Sequence, residues 1–266
     1  MFAKFDLELQ EEELNKYCKR GLSLHNKGLE ILNEHQEIFK DTLKPYLDVD
    51  GRFDASTIEK EWFPKINAQV FLSHSHADEQ SVLKLASLLK EKYGVTCFVD
   101  SVVWKYADEL IEKFETSSRC IYLKKLPCKE ERYKYASRVY MLLQGALAKM
   151  MNTTECVVFV NTHNSVLNIS NRHLFETTSP WIYNERLMAT LLQARPLEEQ
   201  RLSVVVEDKQ DEWKFKVPKD DSFRELKLED FEKAFNQLMN DTKRIGNKRL
   251  MGEKVLEYIY VHKAVY

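Results

Sequence analysis

The stretch from Gln69 to Asp100 restricts this chain more than any other. It begins with a short apolar run, Gln69-Val70-Phe71-Leu72, which gives way to the polar loop Ser73-His74-Ser75-His76-Ala77-Asp78-Glu79. Ser81 to Tyr93 then has the apolar spacing of an amphipathic helix, and Val95-Thr96-Cys97-Phe98-Val99-Asp100 is apolar again. Strand, helix and strand make one βαβ unit, and such a crossover returns the second strand parallel to the first. In open α/β sheets helices cover both faces, so ligands bind beyond the carboxyl ends of the strands. The chemistry of this chain is therefore expected near residues 73–79 and 100–104.

The remaining elements follow from the same patterns. Glu155 to Asn161 is the most apolar run in the chain and reads as a buried parallel strand. Ser179 is an N-cap candidate with Pro180 at the first helical position, which predicts a helix to about Leu192. Arg201–Glu207 and Trp213–Val217 read as a fourth and a fifth strand, and Leu228–Met239 and Lys248–Ala264 as closing helices. Tyr140–Met151 is a further helix, and Ala55–Trp62 a short one. Residues 9–43 show helical spacing up to the break at Pro45, either as a helix docked on the domain or as a partner helix. Thr116–Tyr135 is poorly periodic and rich in Lys, Arg and Tyr, as in a surface insertion. The expected organisation is an N-terminal helical extension over residues 1–65 and an α/β domain over 66–266, with an insertion near 116–138 and C-terminal helices.

Composition narrows the function classes. The 266 residues carry a formal net charge of -2 with a pI near 6.4, which leaves no basic footprint for nucleic acid. No apolar run approaches the ~20 residues of a membrane span. Glu11-Glu12-Glu13 falls where a signal peptide would need an apolar centre, so a cytoplasmic protein without membrane partners is expected. The five cysteines are scattered and two lie in apparent core strands, which suits reduced thiols. Seven glycines, none in a GxGxxG or GxxxxGK[ST] arrangement, leave no glycine loop to cradle a phosphate.

Three constellations carry possible chemistry. His74, His76 and Asp78 follow a strand in partial likeness to the HxHxDH motif of metallo-β-lactamase-like hydrolases. Glu79 replaces the last histidine, and the later ligand clusters such a site needs are missing. Asp100 and Trp104 lie just past the second strand, where a tryptophan either stacks on a ligand ring or anchors a loop. Trp181 and Glu185 share one face of the helix after Pro180. A carboxylate near a helix N-terminus is favoured by the dipole for structural reasons alone, yet here the helix starts at the expected crevice, and spacing leaves both readings open.

Taken in order, Phe-Leu-Ser-His-Ser-His-Ala-Asp-Glu, a helix, Cys-Phe-Val-Asp, Cys-Val-Val-Phe-Val and Ser-Pro-Trp-Ile-Tyr-Asn-Glu resemble the successive boxes of a TIR (Toll/interleukin-1 receptor) domain of the bacterial type, from about Gln69 to Asn240. The resemblance implies a flavodoxin-like, five-stranded parallel sheet of order 2-1-3-4-5 flanked by helices. For the catalytic branch of that family it implies cleavage of the nicotinamide–ribose bond of NAD, as a glycohydrolase or cyclase, with NAD as substrate rather than cofactor and no metal. Glu185 falls on the catalytic glutamate. Ser73, His74, Ser75, His76, Asp100, Trp104, Asn161 and Trp181 fall where substrate contacts are expected. The resemblance further implies self-association into a homo-oligomer, a role in bacterial anti-phage defence signalling and a separate effector that senses the product. A non-catalytic assembly module on the same fold is the alternative. The segment after Asp100 departs from many receptor and adaptor members in lacking their proline and glycine, and the first 65 residues match nothing in the TIR core.

Overall fold

The computed structural model describes residues 2–18, 54–63, 66–116, 129–165, 177, 179–196, 224–241 and 248–263. Five parallel strands form one sheet: β1 (Ala3–Glu8), β2 (Val70–Ser73), β3 (Cys97–Val99), β4 (Cys156–Asn161) and β5 (Arg224–Leu226), in the order β3-β2-β4-β1-β5. Helices α1 (Glu11–Cys18), α2 (Ala55–Trp62), α3 (Glu79–Tyr93), α4 (Ser101–Thr116), α5 (Lys129–Thr153), α6 (Pro180–Leu191), α7 (Leu228–Asp241) and α8 (Lys248–His262) accompany it. Among the described residues no helix is long and apolar enough to cross a membrane. The α/β class and the five-stranded parallel sheet are as expected.

The strand order departs from 2-1-3-4-5, and the cause lies at the N-terminus. Residues 1–65 are not solely a helical extension: Ala3–Glu8 enters the sheet between β4 and β5. Ala3, Phe5 and Leu7 alternate with Lys4, Asp6 and Glu8, the period of a strand. Three charges in six residues conceal that period, because a charged side chain on a sheet normally faces water and here Lys4 is buried. The helix expected over 9–43 is described only as α1. The strands expected at Arg201–Glu207 and Trp213–Val217 lie outside the described residues.

Two helices are longer than expected. α4 starts directly at Ser101, since nothing between Asp100 and Leu110 breaks a helix, so Trp104 falls on its first turn rather than in a loop. α5 begins at Lys129 and absorbs part of the insertion expected near 116–138. Its buried stripe of Val139, Leu143, Leu147 and Met150 starts only after Ala136, so the first turns lack a core-facing period to read.

Gly94 ends α3 in the left-handed conformation at φ 71, its backbone N–H bonding back to Leu89 and Lys90. α8 lays Gly252 against this turn so closely that an added Cβ would stand 2.1 Å from the Gly94 carbonyl oxygen. Cys97 and Cys156 are free thiols buried either side of Val70, and burial pushes Cys156 up to about 12.

Candidate active site

Strand order reverses between β2 and β4, and the polar groups of the site gather at the carboxyl ends of the strands on that side. Ser73 is the last residue of β2, His74 follows it, and Asp100 follows β3. α6 brings in the fourth group. Ser179 caps it as expected, its hydroxyl accepting the Ile182 backbone N–H at 3.3 Å, with Pro180 opening the helix. Glu185 then arrives in the second turn with 1 % exposure.

These four side chains are buried together. Ser73 Oγ donates to Glu185 Oε2 at 2.6 Å. The Glu185 carboxyl lies within hydrogen-bonding reach of Asp100, and His74 Nδ1 lies against Asp100 Oδ1 on the other side. Glu185 Oε1 and His74 Nε2 are buried without a hydrogen-bond partner. Burial raises the Glu185 pKa well above the carboxylate range, and the Asp100 charge raises it further against the pull of the Ser73 hydroxyl. For His74, burial opposes the charged ring, but Asp100, with Glu79 and Asp78 behind it, raises the pKa overall.

The other expected contacts divide. Ser75 is half-buried and leads into a single 3₁₀ turn, His76–Asp78, on which His76 is exposed. Asp78 turns toward the loop after β4, accepting Thr162 Oγ1 at 2.5 Å and Asn164 Nδ2 at 2.8 Å. His74, His76 and Asp78 therefore do not converge, and among the described residues no group of three or more His, Cys, Asp or Glu is arranged to hold a metal ion. Trp181 packs on Tyr140 of α5 with ring centroids 5.3 Å apart, an anchor for the start of α6. The side chain of Trp104 lies outside the described residues. Asn161 is engaged elsewhere, its Nδ2 donating to Asp6 at 3.1 Å. An open groove of about 540 Å³ between α4 and α5 is lined by Asp108, Arg132, Tyr133 and Tyr140 among others, and by none of the four buried groups.

Sequence reasoning missed Asp6 and Arg186. Arg186 follows Glu185 in α6 and holds Asp6 with two bonds, Nη1–Oδ1 at 2.6 Å and Nη2–Oδ2 at 3.0 Å. Only the alternation of residues 3–8 hinted at Asp6. Comparison with profiles of known protein families, with curated proteins and with solved structures finds no match to this chain.

Proposed function

We propose that the protein cleaves the nicotinamide–ribose bond of NAD, with Glu185 as the essential carboxylate. The observation that carries this reading is a carboxyl group buried at the carboxyl ends of the strands, gripped by Ser73, set beside Asp100 and left with one oxygen unpartnered. Breaking the bond develops oxocarbenium charge on the ribose, and a fixed carboxylate at the ribose stabilises that charge and accepts its hydroxyls. Nicotinamide leaves as a neutral molecule, so no strong general acid is required. Burial and the neighbouring Asp100 favour the protonated form of Glu185, so a negative charge formed there needs compensation. The cationic pyridinium of NAD supplies that compensation, which suits a site that opens and ionises as substrate enters. Self-association, a product-sensing effector and a setting in anti-phage defence belong to the same proposal.

One observation favours a non-catalytic assembly module instead: Glu185 is 1 % exposed while the same helix turns Tyr183 and Leu187, one turn apart, toward solvent at 63 % and 42 %. The test is NAD consumption with products identified by mass spectrometry, comparing wild type with Glu185→Ala across protein concentrations. Release of nicotinamide by the wild type and not by the folded variant supports the enzyme, and the co-product separates hydrolysis from cyclisation. Inactivity that persists after enforced clustering favours the assembly module.

A further inference from the structure

Glu185 and Arg186 are consecutive on α6, and they grip two ends of one row of the sheet. Ser73 is the register partner of Phe159 between β2 and β4, and Asp6 is the register partner of Phe159 between β1 and β4. With strands about 4.8 Å apart, Ser73 and Asp6 stand roughly 10 Å from each other across that row. Glu185 meets Ser73 at one end. Arg186 passes over Phe159, its guanidinium carbon 5.2 Å from the ring centroid, and forks onto Asp6 at the other. Consecutive helical side chains point about 100° apart, so turning α6 to improve one grip loosens the other.

We propose that Asp6 is a positioning residue for Glu185: through Arg186 it fixes the rotation of α6 so that the Glu185 carboxyl meets Ser73 and Asp100. The N-terminal strand is thereby part of the site and not an appendage. A two-bond fork specifies an angle as well as supplying attraction. Its contribution to stability is limited, because Arg186 and Asp6 keep 17 % and 28 % side-chain exposure and are screened by solvent. Asn161 braces Asp6 from β4. The catalytic consequence rests on the reading of Glu185 given above; the positional one does not.

The test uses the full chain with Asp6→Asn, with Arg186→Lys, and with the exchange Asp6→Arg plus Arg186→Asp. The infrared carbonyl band of protonated Glu185, assigned by its loss in Glu185→Gln, is followed against pH beside nicotinamide release and the thermal midpoint. Both single variants should bring the Glu185 titration closer to the ordinary carboxylate range. They should also lower kcat by about tenfold to a hundredfold with KM little changed. The exchange should restore both in part, since the Asn161 amide can turn over to offer its carbonyl to a guanidinium on β1. A Glu185 titration identical to wild type in both single variants would overturn the proposal, whatever the thermal midpoint does. So would an equal shift in Gly252→Ala, which loosens the fold without touching α6. If the titration moves but the wild type releases no nicotinamide, the positioning role stands and the NAD reading falls.

Discussion

At the β1 end of the row beneath α6, a carboxylate and a guanidinium meet through two bonds, with an amide as third partner. At the β2 end, two carboxyl groups and one imidazole are packed together out of water, with a buried oxygen and a buried nitrogen left unpartnered. Adjacent residues of one helix thus serve opposite ends: Arg186 completes a matched pair, and Glu185 is held with one buried carboxyl oxygen unpartnered. Matched pairs hold geometry, whereas an unmatched buried carboxyl is costly and persists where the surroundings force it. The stable end is what allows the costly one to be kept in place.

Glu185→Gln should break the comparison most severely. It keeps the shape and removes the ionisable group, so nicotinamide release should fall by at least about a hundredfold, measured in steady-state assays with excess NAD. The same variant should change the pH dependence of stability. The stability contributed by neutral Glu185 is complete below the ordinary value of 4.5 and is lost as pH rises through its raised one. His74 acts in the same direction, its contribution complete below 6.5 and lost as pH rises through its own raised value. The wild-type thermal midpoint should therefore fall as pH rises above 4.5, and less steeply in Glu185→Gln. A midpoint flat above that pH would show that the folded chain does not raise the Glu185 and His74 pKa values.

Gly252→Ala serves as the control far from both ends. An alanine in a helix interior normally gains about 1 kcal/mol over glycine. Here the new methyl meets the Gly94 carbonyl, and a net loss of about 1–3 kcal/mol is expected from urea unfolding. Ser73→Ala should cost about 1 kcal/mol. Because the lost hydroxyl lowers the Glu185 pKa, its removal should also move the acidic limb of the pH–rate profile to higher pH. The smallest effect is expected for Asn161→Ala, about 0.5–1 kcal/mol by urea midpoint, with the Glu185 titration unchanged while the Arg186 fork remains.

How far the site could be read in advance depended on the distance over which each signal acts. Ser179-Pro180 and the four-residue step from Trp181 to Glu185 are local, and α6 starts and faces as they require. The gathering of Ser73, His74 and Asp100 followed from one βαβ unit, whose geometry is nearly independent of the rest of the chain. The bond from Asn161 to Asp6 spans 155 positions, a pairing that no local pattern shows. Trp104 was placed in a loop, although without proline or glycine the chain runs from Asp100 straight into a helix.

By itself the sequence determined the α/β class, the parallel pairing of β2 with β3, the capped start of α6 and the burial of β4, because hydrophobic period and end-capping act within a few turns of chain. Tertiary structure alone decided that Ala3–Glu8 lies between β4 and β5 and that Arg186 reaches Asp6. It also decided that the Glu185 pKa is raised, since burial and the neighbouring Asp100 disfavour the charged form. Strand pairing and desolvation are properties of neighbours in space, and no local pattern encodes which neighbours arrive.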